Sequence, residues 1–437
     1  MADEWRETTL GAVTDFLSGG TPSMGRRDFW NGSIPWVSAK DMKRFRLDDT
    51  EDHVTEEGVA NGTKLVPSGS VLILARGMTL LNDVPICIAN RPMAFNQDVK
   101  ALRPKPHVRS DFLPYLLLGN KERLLSLVDL AGHGTGRLNS DELRALEVML
   151  PPVPEQRSIA HILGTLDDRI DLNRGINETL EAMARALFKS WFVDFDPIRA
   201  KAEGRDPGLP KPLADLFPDR LVDSELGEIP EGWEAGTVAE MSTLNPEAWS
   251  RQAYPAKINY LDLSNTKWGR IGAVMEYKAA DAPSRAQRIL RPGDTIVGTV
   301  RPGNGSYALI SEDGLTGTTG FAVLRPRTAQ SQEFVYLAVT GAENIDALAH
   351  LADGGAYPAV RPDIVAATPV VRPSDQVLGR FAAAAGPLLA KVACSQNASR
   401  TVAALRDKLL PKLISGELRV THVERFQGAE RFIGREP

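Results

Sequence analysis

The sequence predicts a mixed α/β (α+β) chain: two similar modules separated by two long antiparallel coiled-coil helices, with a pseudo-two-fold internal repeat. Three observations carry this reading. First, pieces recur in one order. Leu65-Val66-Pro67-Ser68-Gly69-Ser70-Val71-Leu72-Ile73, Ala101-Leu102-Arg103-Pro104 and Ala131-Gly132-His133-Gly134 in the first half are echoed in the second. The echoes are Leu290-Arg291-Pro292-Gly293-Asp294-Thr295-Ile296-Val297, Val323-Leu324-Arg325-Pro326 and Ala352-Asp353-Gly354-Gly355. Second, each half closes with proline and then a long heptad-patterned stretch, 151–187 and 369–413. Third, short β-branched or aromatic runs ahead of each stretch alternate with Gly, Pro, Asn and Asp clusters, the punctuation of strands and turns.

Residues 1–150 form the first module. Its strand signals are Ile34-Pro35-Trp36-Val37, Val71-Leu72-Ile73-Leu74, Ile86-Cys87-Ile88 and Val148-Met149-Leu150, and a helix is expected over 111–130, where Leu113, Leu116, Leu117 and Leu124 recur at helical spacing. Pro151-Pro152-Val153-Pro154-Glu155-Gln156 then opens the first long helix, 151–190, with proline in the first turn and Glu155 at the positive end of the dipole. Its seam reads Ile159, Ile162, Leu166, Ile170, Asn173, Ile176, Leu180, Met183 and Leu187, in alternating steps of three and four. A helix of about thirty-five residues is roughly 50 Å long. Residues 191–232 carry scattered prolines and read as an irregular connector. The second module spans 233–370, with strand signals at Ile258-Asn259-Tyr260-Leu261, Thr295-Ile296-Val297 and Phe321-Ala322-Val323-Leu324 and a helix over 333–351. The second long helix, 371–416, carries Val377, Phe381, Leu388, Val392, Val402, Leu405 and Leu409. The two helices are expected to pack on each other antiparallel, with a module at each end. The alternative, each helix covering its own module, suits a broader apolar stripe. The tail, 417–437, shows no pattern and reads as disordered or tag-like.

At 437 residues the chain is too long for one core and suits two domains. The net charge of −5 is unlike a free-standing nucleic-acid binder, so DNA binding requires basic residues gathered on one face or a partner that supplies phosphate attraction. Only Cys87 and Cys394 are present, which argues for a reducing cytoplasm and against a disulfide frame or a cysteine-based zinc site. No contiguous run of about eighteen apolar residues marks a membrane span, and the N-terminus lacks a secretory pattern. Two similar heads at a set separation suit recognition of a two-part target better than they suit catalysis.

Five stretches carry a family resemblance. They are Ser18-Gly19-Gly20-Thr21-Pro22-Ser23 with Trp30-Asn31-Gly32-Ser33-Ile34-Pro35-Trp36-Val37-Ser38; Pro151 to Gln156 with Ile159-Ala160 and Ile162-Leu163; Leu187-Phe188-Lys189-Ser190-Trp191-Phe192-Val193-Asp194-Phe195-Asp196-Pro197; Asp223-Ser224-Glu225-Leu226-Gly227-Glu228-Ile229-Pro230-Glu231-Gly232-Trp233; and Leu409-Leu410-Pro411-Lys412-Leu413-Ile414-Ser415-Gly416. Spread over nearly the whole chain, they resemble the specificity (S) subunit of a type I restriction–modification system. The resemblance implies two target-recognition domains, each reading one half of a bipartite double-stranded DNA site, and helices that set the spacer. It implies docking of two methyltransferase (M) subunits and, for cleavage, of restriction/translocase (R) subunits. No cofactor is then expected in this chain; S-adenosylmethionine and ATP/Mg would belong to the partners. Glu247-Ala248-Trp249 replaces the Gly-Gly-Thr-Pro opening of the first copy.

No catalytic or metal-ligating set stands out, so the expectation is a non-catalytic recognition subunit. Asn245-Pro246-Glu247 falls short of an adenine-methyltransferase tetrapeptide, no phosphate loop with its Lys is present, and Gly132-His133-Gly134-Thr135-Gly136 is a weak phosphate-cradle pattern. Loops joining glycine to Arg, Lys, Asn, Ser or Thr are the DNA-reading candidates, because glycine admits close backbone approach and Arg and Asn pair with base edges. In the first module these are Ser38 and Lys40, Arg76 and Thr79, and Thr135 and Arg137. In the second they are Ser264, Asn265 and Lys267, Arg301 and Asn304, and Tyr357 with Arg361. Trp5, Trp30, Trp36 and Trp233 read as core anchors, Asn173 as a register-setting polar residue, and Leu187-Phe188 with Trp191-Phe192 as core. Two other functions fit less well: a coiled-coil scaffold that binds only proteins, and a self-contained methyltransferase or nuclease with its own recognition domains.

Overall fold

In the computed structural model, residues 4–131, 134–250, 253–355 and 357–420 are described. The chain divides into two compact units, Met1–Ile170 with Val402–Pro437, and Asp171–Thr401.

In the first unit, Arg6–Thr9 pairs antiparallel with Glu147–Leu150, tying the two ends of the module together. A five-stranded sheet runs in the order Thr14–Ser18, Val99–Pro104, Val71–Leu74, Ile86–Ala89, Arg46–Leu47. Val71 to Leu74 are all fully buried, which is why that strand reads as an unbroken apolar run rather than an alternation. A second sheet runs His53–Val54, Trp30–Val37, Met93–Phe95, Leu65–Val66, with a parallel pairing of Trp36 and Val37 with Ala94 and Phe95. A third runs Val128–Ala131, Thr135–Leu138, Arg76–Gly77.

The second unit repeats this order. Glu234–Thr237 pairs with Pro369–Arg372. One sheet runs Ser242–Leu244, Phe321–Pro326, Thr295–Gly298, Tyr307–Leu309; the other runs Met275–Lys278, Lys257–Leu261, Leu315–Thr318, Ala286–Leu290. Its parallel pairing of Asn259 to Leu261 with Leu315 to Gly317 falls where the first unit pairs Trp36 and Val37 with Ala94 and Phe95. The third sheet survives as two isolated bridges, Val300 with Ala359 and Asp353 with Ala359. Common strand order and direction establish the internal repeat.

The long helices are Val153–Phe192 and Asp375–Ser415. The Pro-rich opening of the first is anchored by its next two residues. Glu155 accepts from the Trp5 indole (2.8 Å) and from Arg419 (2.9 and 3.0 Å). Gln156, fully buried, donates to the Pro151 and His107 carbonyls and accepts from the Arg109 backbone N–H. The helices pair antiparallel inside each unit. In the first, Ile159 and Leu163 share a core with Leu410 and Leu413, and Arg406 donates to Asp167 (2.6 Å). In the second, Asn173 donates to Ser399 (3.0 Å), and Phe188, Trp191 and Phe192 surround the Phe381 ring.

Several expectations are corrected. The buried line of the first helix runs through Ile159, Leu163, Asp167, Asn173, Asn177, Ala184 and Trp191, whereas Ile176 and Met183 are exposed; on the second helix Leu405 is exposed. The middle of the pair is therefore polar, and only the facing helix decides which side turns inward. The helix expected over 111–130 is two, Leu113–Gly119 and Lys121–Ser126, followed by the strand Val128–Ala131; that over 333–351 is Gln332–Val339 and Ala342–His350. The connector is ordered: it holds the helices Asp196–Ala202 and Lys211–Ala214 and the hairpin Leu221–Ser224 with Gly227–Pro230. Pro369–Arg372 is a strand that precedes the second long helix. That helix is long and apolar enough by length and composition to cross a membrane, with mean hydropathy 1.4 over 18 residues. Arg380 and Lys391 interrupt its apolar residues, so no contiguous run marks it in the sequence. Trp36 and Trp233 are buried, as expected of anchors. The Gly132-His133 cradle and residues 421–437 lie outside the described residues.

Candidate nucleic-acid interface

In the first module, Ser38 and Lys40 follow the strand Trp30–Val37. The Asp41 carboxylate closes this loop by accepting from the Ser38 backbone N–H (2.9 Å) and hydroxyl (2.8 Å). Lys40 is held by Asp52 (2.9 Å) and Glu51 (3.1 Å), which raise its pKa, so much of its charge is already answered. Arg76 lies on the short strand Arg76–Gly77, opposite Arg137 on Thr135–Leu138. Gly77 joins the first loop to the second: a Cβ placed there would sit 3.9 Å from that of Ala39. Thr79 lies in the following turn, and the close fit of Leu80 on Gly136 leaves no room for a side chain at that glycine. Arg137 faces Asp129 at 3.9 Å, whereas the Arg76 guanidinium is exposed with no partner among the described residues. The three candidate loops of the first module thus converge.

They converge in the second module too. The Asp262 carboxylate accepts from the Ser264 hydroxyl (2.7 Å) and the Asn265 backbone N–H (3.0 Å), doing for this loop what Asp41 does for the other. Lys267 donates to Ser306 (3.2 Å) and the Asn304 carbonyl (3.4 Å), and partial burial pulls its pKa down. The Arg301 backbone N–H donates to the Pro358 carbonyl (2.7 Å), and its guanidinium lies 4.7 Å from the centre of the exposed Tyr357 ring. Arg361 pairs with Asp363 (2.8 Å). Trp268 and Arg301 both hold φ near +48°, a conformation that costs a non-glycine residue and concentrates at functional sites. The Trp268 indole is half exposed and rests on Gly305, where a Cβ would come within 2.5 Å of the ring.

Comparison with known proteins gives a consistent likeness. Residues 2–182 match the family described as the type I restriction modification DNA specificity domain. That match covers the first module and most of the first long helix. Two relatives match over nearly the whole chain. The chain is 25% identical to the type I restriction enzyme MjaIX specificity subunit of Methanocaldococcus jannaschii, over 95% of this chain and 94% of that one. It is also 25% identical to the HindI specificity subunit of Haemophilus influenzae, over 95% and 100%. To the EcoR124I/EcoR124II specificity subunit of Escherichia coli it is 34% identical, over 38% and 41%. In fold it is similar to the crystal structure of the type I restriction-modification S subunit from M. genitalium, with TM-score 0.57 and 14% identity, over 94% and 96% of the two chains.

Sequence reasoning missed Asp41, Asp262 and Trp268. The two aspartates were legible as short Asx-type turn signals beside Ser38 and Ser264. Trp268 had no such signal, because the ring is seated on Gly305, which is distant in sequence.

Proposed function

We propose that this chain is a sequence-specific DNA-recognition subunit in which each module reads one half of a bipartite site and the paired helices set the unread spacer. The observation that carries this reading is the duplication. Two modules with one strand order each gather three loops of Arg, Lys, Asn, Ser and Thr side chains into one cluster. Arg76, Arg137 and Arg301 suit guanine edges or phosphates, and Asn265 and Asn304 suit adenine edges. Because the chain is acidic overall, methyltransferase subunits would add phosphate attraction, and restriction/translocase subunits would join for cleavage. The chain itself would be non-catalytic and cytoplasmic. S-adenosylmethionine would serve the methyltransferase and ATP with Mg the translocase. Burial pushes the Cys87 thiol up to about 12, which keeps it inert at neutral pH.

The test is to map the adenines methylated by the complete complex, then repeat with Arg301→Ala and with Arg76→Ala. Each substitution is expected to relax one half-site and leave the other intact. A change in both half-sites from one substitution, or methylation indifferent to both substitutions, overturns the assignment.

A further inference from the structure

Each unit fastens its module to the long helices by the same two devices. The first is a partly buried set of tyrosine, carboxylate and arginine. In the first unit Tyr115, on Leu113–Gly119, donates its hydroxyl to Asp167 (2.8 Å), and Arg406 donates to the other oxygen of that carboxylate (2.6 Å). Asp167 is 3% exposed. In the second unit Tyr336, on Gln332–Val339, donates to Glu181 (3.3 Å), and Arg185 donates to the same carboxylate (2.7 Å) and to the Thr340 carbonyl (3.0 Å). Burial and the adjacent carboxylate push both phenols well above their ordinary pKa, so each hydroxyl stays a donor.

The second device is an arginine just beyond the candidate reading loop. Arg46 pairs with Asp168 and Arg270 with Glu178 (2.6 Å), both acids lying on the helix Val153–Phe192. The same ten-residue step separates Trp36 from Arg46 and Tyr260 from Arg270. Beside Arg270, the Gly269 carbonyl accepts from Gln396 on the other long helix (3.1 Å). Phe45 packs on the Tyr115 ring at 5.6 Å, and the Tyr336 hydroxyl crowds Gly269, so the two devices touch in both units.

Nothing in the strand order requires these links, yet they occur twice with different residues. A charge-assisted, two-donor carboxylate accepts only a narrow range of orientations. It therefore holds direction as well as adding stability. Resting on the DNA-reading function above, we propose that these latches are positioning devices: each fixes its own unit's reading loops on the helix pair, and together they restrict the subunit to one spacer length.

The experiment uses the full subunit assembled with its methyltransferase partners. Duplexes carry both mapped half-sites, with the spacer lengthened or shortened by one base pair at a time. The unaltered complex is expected to methylate one spacer length. Tyr336→Phe, and separately Arg270→Ala, should raise methylation of the neighbouring lengths, relative to the parent length, about fivefold, the weight of one well-placed ion pair. The half-site sequences should not change. Arg270→Glu combined with Glu178→Arg should restore the narrow profile. Arg270 and Glu178 are both solvent-accessible, so these variants should fold even if the buried one does not. An unchanged spacer profile in the Arg270 variant, with or without lower thermal stability, overturns the latch and leaves DNA reading intact. If the unaltered complex shows no bipartite preference, DNA reading fails first and the latch falls with it.

Discussion

The two modules share a strand order but close their opening loops with different chemistry. In the first, Gly19 and Gly20 let backbone meet backbone: a Cβ at Gly19 would overlap the Phe95 carbonyl oxygen, and one at Gly20 the Gly62 carbonyl oxygen. In the second, Glu247 stands where that glycine pair would be and pairs with Arg291 and Arg325. Arg325 also makes two bonds to fully buried Asp294 (2.8 and 2.9 Å). Its counterpart in the repeat, Arg103, is exposed. One fold therefore tolerates either close backbone contact or an ionic network anchored on buried Asp294 at the same junction, so the half of the repeat that looks divergent in sequence is still equivalent in space. The modules differ again against the helices, where, among the described residues, only the second builds a large aromatic cluster, from Phe188, Trp191, Phe192, Phe334 and Phe381.

The largest effect is expected at that cluster. Phe381→Ala empties a fully buried site and should cost about 3–5 kcal/mol in calorimetric unfolding. A loss under 1 kcal/mol would show that the cluster repacks freely. Next comes the pair of equivalent arginines. Arg325→Ala leaves Asp294 buried without its partner and should cost about 3 kcal/mol, while Arg103→Ala should stay within about 0.5 kcal/mol. Equal losses would erase the contrast. Gly20→Ala should cost about 1–3 kcal/mol by forcing backbone apart; a neutral result would mean that the glycine opening is not required. Smaller effects concern DNA. Arg76→Ala should lower the slope of log affinity against log salt by about one unit, and Lys40→Ala by less, because Glu51 and Asp52 already hold it. The reverse ranking in a salt titration would move the interface off Arg76. The smallest concerns acid. Arg291 and Arg325 depress the Glu247 pKa from 4.5, so the stabilisation it gives is present above about pH 4.5 and lost as pH falls through the lower folded value. Glu247→Gln should flatten the stability of the second unit in that window, and an unchanged acid limb would remove the network from the account.

Much of the architecture was legible beforehand. Val71 to Leu74 and Thr295 to Val297 announce themselves as strands because buried strands in this fold are unbroken apolar runs between turn residues. The two helices announce themselves by length. The seam was not legible in detail, because Ile176 and Met183 fit a heptad as well as Asn177 and Ala184 do, and the partner helix chose the latter. The candidate site was legible as loops and not as charges. Lys40, Arg76 and Arg361 look alike in sequence, yet one is held by two carboxylates, one has no partner among the described residues and one is tied to Asp363.

Taken alone, the order of residues settled the duplication, the strand runs and the presence of two long helices, since pattern and period act between near neighbours along the chain. Which face of each helix is buried, which arginine is neutralised and how each module is fastened to its helices were settled only by folding. Those outcomes depend on side chains such as Asp167, Arg406, Glu178 and Asp294, whose partners arrive from distant segments.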